Sequence, residues 1–191
     1  MNTLDALKLR RSYYNLDDKL EVSDEKIVET IEKVTELVPD AFNMKSQRLV
    51  IAQKDMHKKL WDGVYDSFGG EVSKDKIDTF KNAAGTVLFF YDNKLIEKMK
   101  KDYELYKDNF TPWALQANGM LQISIWSALE ELGLGVNLQH YNPIIDDMVK
   151  EMFDVDKDYV LLGQMVYGNI TGPADEKENE DIKKRVKVVD K

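Results

Sequence analysis

The chain contains no cysteine and, among its 191 residues, only two histidines, His57 and His140. The absence of cysteine excludes disulfides, thiolate zinc sites, cysteine-ligated iron–sulfur clusters and cysteine nucleophiles. The two histidines lie far apart in the sequence, so we expect no histidine-rich metal site either. An enzyme of this composition must obtain its chemistry from a cofactor or from ordinary carboxylates.

The sequence also has no excess of positive charge and no long apolar run. Its formal net charge is -8 at pH 7, so its surface should on average repel nucleic-acid phosphates and anionic lipid. No stretch approaches the roughly 18 consecutive apolar residues of a membrane-spanning helix, and the first residues are too charged for a signal peptide. We therefore expect a cytoplasmic protein with no nucleic-acid partner and no membrane partner.

Nothing in the sequence divides the chain into separate parts. There is no long Pro-, Gly- or Ser-rich linker and no internal repeat, and 43% of the residues are hydrophobic. A chain of this length has room for one ordinary domain with a sizeable core. We therefore predict a single domain over residues 1–191.

The spacing of apolar residues predicts an α+β fold. Spacings of three and four favour helices, whereas short β-branched or continuous apolar runs favour strands. The helices are predicted over 3–10, 24–38, 54–65, 74–82, 93–109 and 113–132, with a further helix whose first turn holds Pro143. The strands are predicted over 48–52, 85–91 and 159–167, with a weaker alternation over 186–189.

The helix predicted over 113–132 differs from the others because apolar residues occupy more than one of its faces. A helix that is apolar most of the way round should be central, buried by its own domain and by a second subunit. Gly133 and Gly135 follow it and are expected to end it.

Two basic segments could bind a phosphate. Arg10, Arg11 and Ser12 offer two guanidiniums and a hydroxyl within three residues, and Arg185 and Lys187 belong to a basic run in an acidic protein. The basic run could close around one phosphate together with Arg10. The alternative is that the arginines are solvated at a helix C-terminus, where the dipole favours cations, and that the basic run is a solvated tail.

Two further segments are rich in polar groups. Residues 39–48 could contact the polar edge of a heteroaromatic ring, or they are simply a helix stop followed by turn residues. Residues 133–143 begin with two glycines, which would let a ligand approach the backbone closely, and continue into Gln139 and His140. His140 alone is more often a hydrogen-bonded structural residue than a catalyst.

Taken in order, these segments resemble the FMN-binding pattern of the nitroreductase family. The resemblance runs from about Leu4 to Val189 and is strongest in the sequences GMLQ at 119–122 and LQHYNP at 138–143. These are similar to a branch of small nitroreductase-like proteins related to the fatty-acid-repression oxidoreductases. The resemblance implies a nitroreductase fold, with a central mixed sheet flanked by helices and the long central helix at a homodimer interface.

The resemblance also assigns roles to residues of this sequence. The implied ligands of the FMN phosphate are Arg10, Arg11, Ser12, Arg185 and Lys187. Gln139 and His140 match the backbone and side chains that lie against the flavin near its reactive nitrogen.

The loop after the second helix resembles the family segment P-S-x-x-N-x-Q, which reaches the flavin of the neighbouring chain. Pro39 and Asn43 match this pattern. Asp40 stands where the pattern usually has serine, and Lys45 stands where it usually has glutamine. These departures alter the local hydrogen bonds, and Lys45 would add a positive charge near the flavin ring.

The function implied by the resemblance is FMN-dependent oxidoreduction, in which NAD(P)H reduces nitroaromatics, quinones or similar acceptors by ping-pong hydride transfer. Phe42, Tyr106 and Trp113 would form the walls of the acceptor pocket, although core packing explains each aromatic equally well. One alternative is a flavin-binding regulatory protein of redox or lipid signalling with weak turnover. A third interpretation, a helical protein-interaction module, requires a colourless protein.

Overall fold

Seven α-helices and five strands make up the computed structural model, which describes residues 3–178 and 180–190. The other residues of the predicted domain, 1, 2, 179 and 191, lie outside the described part. The helices are α1 Thr3–Leu9, α2 Asp24–Leu37, α3 Lys54–Ser67, α4 Lys74–Lys81, α5 Asn93–Asp102, α6 Phe110–Glu131 and α7 Asp146–Met152. The strands are β1 Leu16–Asp17, β2 Gln47–Gln53, β3 Gly85–Asp92, β4 Leu134–Gln139 and β5 Tyr159–Ile170.

The sheet is organised around β5, which has neighbours on both of its edges. It pairs antiparallel with β3, with β4 and with the two residues of β1, and β2 pairs antiparallel with β3. Within the described residues the parallel pairing is a single bridge between Ser12 and Val136. The sheet is therefore mixed, as predicted, only through this bridge.

Helix α6 is the central helix that the sequence predicts. Its buried residues include Leu121, Ile125 and Leu129, which pack in one hydrophobic cluster with residues of α2, β3 and β4. Another face stays open, since Leu115 is 45% and Met120 is 43% exposed. No helix in residues 3–178 and 180–190 is long and apolar enough to cross a membrane.

Three sequence predictions of secondary structure were wrong. No strand was predicted over 134–139, but these residues form β4, because they pair with β5 along their whole length and are mostly buried. Pro143 lies in a turn before α7 rather than in its first turn. Residues 186–189 form no strand, because they are exposed and have no neighbouring strand to pair with.

The predicted helix over 93–109 is interrupted. It consists of α5 followed by a 3-10 helix over Glu104–Asn109, with Tyr103 at φ -133° and ψ 62° between them. The N–H of Tyr103 still bonds to Met99 O. Tyr103, at the break, and Tyr106, in the 3-10 helix, belong to the aromatic cluster described below.

His57 is a fully buried histidine on α3 with a complete set of partners. Its Nε2 lies 3.1 Å from Phe80 O and its Nδ1 lies 3.0 Å from Thr86 Oγ1. A carbonyl oxygen only accepts, so Nε2 carries the proton, and Thr86 donates to Nδ1 while it accepts from Trp61 Nε1. Burial lowers the pKa of His57 to about 4. The core therefore requires a neutral imidazole.

We predict that protonation of His57 destabilises the folded protein in mild acid. The unfolded chain binds this proton below about pH 6.5, whereas the folded chain binds it only near pH 4. The contribution of the neutral His57 to the free energy of unfolding is therefore fully present above pH 6.5, and it is lost as the pH falls towards 4. In urea unfolding at fixed protein concentration, the stability difference between wild type and His57→Gln should narrow by roughly 2 kcal/mol from pH 7 to pH 5.

The matched control is His140→Gln, which changes the exposed histidine. Its stability should follow that of the wild type at both pH values. If wild type and His57→Gln lose stability in parallel, the neutral, buried imidazole is contradicted.

Candidate functional site

The segment after α1 is attached to the body at two backbone positions on either side of Ser12. The N–H of Arg11 donates to Glu130 Oε1 at 3.0 Å, and the N–H of Tyr13 donates to Val136 O at 2.9 Å. Neither the N–H nor the hydroxyl of Ser12 makes a hydrogen bond within the described residues. Ser12 therefore offers two donors from a fixed stretch of backbone.

The two arginines of this segment have different surroundings. The guanidinium of Arg10 lies over the ring of Trp126, 4.7 Å from its centroid, and makes no hydrogen bond or ion pair in the described part of the chain. Arg11 instead donates from Nη2 to the carbonyl oxygen of Asp175. Within the described residues, Arg10 therefore has all of its guanidinium N–H groups available to a ligand, whereas Arg11 has one of them engaged.

Strand β4 carries two buried amides that connect this segment to Gln139. Asn137 Nδ2 donates to Tyr13 O at 2.8 Å, and Gln139 Nε2 donates to Asn137 Oδ1 at 2.8 Å. Because a carbonyl oxygen only accepts, Asn137 must direct its own oxygen towards Gln139. Gln139 then uses its NH₂ group for Asn137, and its Oε1, which has no partner in the described residues, is left to accept.

The residues after β4 are held in place from β5. Gln164, which is fully buried, accepts from the N–H of Tyr141 at 2.8 Å and donates to Asn142 Oδ1 at 3.3 Å. His140 itself is exposed. The LQHYNP sequence is thus an ordered strand end rather than a flexible loop.

The loop after α2 has a strained backbone. Phe42, Asn43 and Lys45 all have positive φ, at 54°, 51° and 53°, a region that side chains other than glycine rarely adopt. Asp40 holds the loop closed, since its Oδ2 accepts from Ser46 N at 2.7 Å and from Ser46 Oγ at 2.6 Å. Strain of this kind persists only where surrounding contacts enforce it, and it is common at ligand sites.

The strained loop places Phe42 in a cluster of aromatic rings. Phe42 stacks on Trp113 with centroids 5.6 Å apart and lies 5.8 Å from Tyr106. It also makes edge contacts with Tyr103 and Phe110 at 5.0 and 5.3 Å. The structure thus brings together the three aromatics predicted for the acceptor pocket. Phe42 remains 48% exposed.

Arg185 and Lys187 lie in the exposed C-terminal tail. Arg185 pairs with Glu180 of the same tail at 3.1 Å, and Lys187 is exposed. No hydrogen bond or ion pair joins either residue to Arg10 in the described chain. Cations do not bond to one another, so the expectation that the tail and Arg10 close around one phosphate stays a prediction.

Comparison with known proteins shows what kind of fold carries these features. The sequence model of the nitroreductase family matches residues 7–169. Nitroreductase FRM2 of Saccharomyces cerevisiae is 34% identical over 179 residues, which cover 92% of this chain and 92% of that protein.

The chain belongs to the nitroreductase family. Nitroreductase CinD from Lactococcus lactis, solved in complex with nicotinic acid, is 38% identical and superposes with a TM-score of 0.95 over 99% of this chain and 100% of CinD. The same enzyme solved with 4-nitrophenol gives a TM-score of 0.94. A structure from Exiguobacterium sibiricum 255-15 that contains FMN shares the fold, with a TM-score of 0.77 and 16% identity over 99% of this chain and 98% of that one. The nitroreductase fold is thereby confirmed, and family membership supports an oxidoreductase activity.

The sequence analysis did not identify the residues of this nitroreductase that contact the predicted phosphate-binding segment. Trp126 and Glu130 were taken only as part of an apolar helix, and Asn137 was one of several polar residues after the glycines with no role of its own. Their signals were present in the sequence: Glu130 is a carboxylate in the last turn of an apolar helix, and Asn137 is an amide between apolar neighbours.

One interpretation of the glycines needs correction. Gly133 ends α6 with φ +84°, as expected. Gly135 was expected to let a ligand approach the backbone, but it is required by packing. A Cβ at this position would lie 2.5 Å from Leu16 Cδ2 and 2.7 Å from Ile170 Cγ1.

We predict that Asp40 stabilises the strained loop. Asp40→Ala should lower the free energy of unfolding by about 1–3 kcal/mol, because the buried N–H and hydroxyl of Ser46 lose their acceptor. Asp40→Asn, which keeps an acceptor oxygen, should lose less. Glu36→Ala removes an exposed carboxylate from the same cleft and serves as the control in denaturant unfolding. Equal midpoints for Asp40→Ala and Glu36→Ala would contradict this role.

Proposed function

We propose that this nitroreductase is an FMN-dependent oxidoreductase that uses NAD(P)H to reduce nitroaromatics, quinones or similar acceptors. The observation that carries the proposal is the pair of unengaged donor groups at the end of α1. Within the described residues, the guanidinium N–H groups of Arg10 and the N–H and hydroxyl of Ser12 make no hydrogen bond. These are the positions at which the family resemblance puts the FMN phosphate.

The donor set fits a phosphate. The guanidinium of Arg10 contacts the ring of Trp126 without hydrogen-bonding to it, so its N–H groups can form two parallel bonds to phosphate oxygens. The fixed backbone at Ser12 adds an N–H and a hydroxyl. In this proposal Arg11, Arg185 and Lys187 add positive charge, and the last two reach the phosphate from the tail.

Two other groups suit the ring end of a flavin. Gln139 presents an acceptor oxygen, and Asn43 and Lys45 extend from the strained loop that we propose reaches the flavin of the partner subunit, together with Pro39. His140 lies next to Gln139 at the exposed strand end. FMN, when bound, supplies the two-electron hydride chemistry of a ping-pong cycle. The sequence contains no cysteine, so no thiol of its own could carry out redox chemistry in place of the flavin.

The substrate classes are supported by the ligands of CinD, which was solved with nicotinic acid and with 4-nitrophenol. The first contains the pyridine ring that nicotinamide also has, and the second is a nitroaromatic. In this chain the cluster of Phe42, Tyr106 and Trp113 offers flat aromatic surface for such rings, which prefer offset stacking or edge contacts. We propose this cluster as the wall of the acceptor pocket.

A homodimer is part of the proposal because apolar surface remains open on helices α1 and α6. Leu4 is 77% exposed and Leu7 is 46% exposed on α1, next to the open face of α6 that carries Leu115 and Met120. Exposed apolar side chains on two helices that pack against each other are typical of a subunit interface. We place this homodimer in the cytoplasm.

The deciding experiment is flavin content followed by turnover. We expect the purified protein to be yellow, with absorbance near roughly 450 nm that is released as FMN on denaturation. It should oxidise NADH or NADPH in the presence of 4-nitrophenol-like or quinone acceptors, with the parallel double-reciprocal lines of a ping-pong cycle. A colourless protein would contradict the proposal that FMN is the cofactor. A yellow protein without turnover would favour the regulatory alternative.

We predict that each flavin site is shared between two chains. In a mixed dimer of one Asn43→Ala chain and one Arg10→Ala chain, one site would carry both lesions and the other would be intact. Flavin titration of the isolated mixed dimer should then show one site of near wild-type affinity. Two sites that are weakened alike would mean that Asn43 and Arg10 serve the same chain's site, or that Asn43 only shapes its own turn.

A further inference from the structure

We propose that Trp126 and Glu130, one turn apart on α6, are positioning residues that hold Arg10, Arg11 and Ser12 in the shape that receives the FMN phosphate. This inference rests on the proposed function, because it assumes that these three residues meet the phosphate. It assigns a task to two residues that belong to neither the predicted ligands nor the acceptor pocket.

Glu130 determines where the backbone leaves α1. The N–H of Arg10 still bonds to Ala6 O at 3.0 Å in the helical manner. The next N–H, that of Arg11, is taken by Glu130 Oε1 at 3.0 Å, across 119 residues of sequence. The chain then turns so that Tyr13 bonds to Val136 O. Without the carboxylate the Arg11 N–H would lose its partner, and the donors of Ser12 would lose one of their two supports.

Trp126 connects the two halves of the arrangement. Its Nε1 donates to the same Glu130 Oε1 at 2.9 Å, which fixes the carboxylate, and its ring lies under the guanidinium of Arg10. Trp126 is buried, so its ring plane is set by the core. Cation–π contact with such a ring restrains the guanidinium without using any of its N–H groups.

The charge of Glu130 excludes it as a phosphate ligand. A carboxylate would repel the phosphate, so a loss of phosphate binding when Glu130 is removed must act through Arg11 and its neighbours. Its second oxygen, Oε2, is buried and has no partner in the described residues, and burial raises the pKa of Glu130. A carboxyl group that is kept in an unfavourable place, with one oxygen unpaired, calls for an explanation. Holding the Arg11 N–H provides one.

The test compares FMN with riboflavin, which is the same flavin without the phosphate. Dissociation constants of both are measured by flavin fluorescence quenching on the intact protein after removal of its flavin. Glu130→Ala and the volume-matched Glu130→Met both remove the acceptor, and Glu130→Gln keeps it. Glu131→Ala, which removes the neighbouring exposed carboxylate, is the control. Arg10→Ala is the reference for loss of a direct phosphate contact.

We expect wild type to prefer FMN over riboflavin, and Glu130→Ala or Glu130→Met to lose about tenfold of that preference while riboflavin affinity stays unchanged. Glu130→Gln and Glu131→Ala should keep the preference within about threefold. A general loss of structure would weaken both ligands alike, so the ratio separates positioning from damage. If Glu130→Ala does not fold, the ratio of FMN to riboflavin affinity is taken from Glu130→Met.

Three results would overturn parts of the argument in distinguishable ways. A wild type with no preference for FMN would show that the proposed phosphate site is wrong. A wild-type preference that survives in Glu130→Met would leave the proposed function standing and overturn the positioning role. Tighter FMN binding by Glu130→Gln and Glu130→Met alike would show that Glu130 acts through its charge, which also overturns the role proposed here.

Discussion

The antiparallel pairing of β4 with β5 is the constraint on which the candidate site depends. It directs Val136 O towards Tyr13, buries Asn137 and ends at Gln139, opposite Gln164. If this stretch were a loop, the segment after α1 would have no strand to join, and the amides would have no fixed direction. The residues predicted to bind the flavin are therefore positioned by a sheet in the core, and side chains at the surface only complete the arrangement.

Helix α6 both fills the core and contacts the candidate site. One face fills the core beneath the sheet, and its last two turns carry Trp126 and Glu130 to the segment after α1. In these water-poor surroundings a single carboxylate oxygen can organise an indole N–H and a backbone N–H at once. The same surroundings leave the other oxygen of Glu130 unpaired.

The acceptor side of the site has a different physical origin. Strain at Phe42, Asn43 and Lys45 is maintained by Asp40 and by the rings that surround Phe42. The loop therefore presents a half-exposed aromatic ring, that of Phe42, and an exposed amide, that of Asn43. The departure from the family pattern at Asp40 is thus an internal support, since its carboxylate bonds to Ser46 rather than projecting into open space.

The sequence by itself determined the helices with regular periodicity and clear caps, such as the one that begins after Ser23, and the apolar strand β3. Through its resemblance to a family, it also predicted which residues bind the flavin. Only the tertiary structure decided that 134–139 is a strand, that 186–189 is not, and that Glu130 bonds to Arg11. Helix periodicity and capping are local, whereas a strand exists only where another strand supplies its hydrogen bonds, and a contact across 119 residues follows from how the whole chain packs.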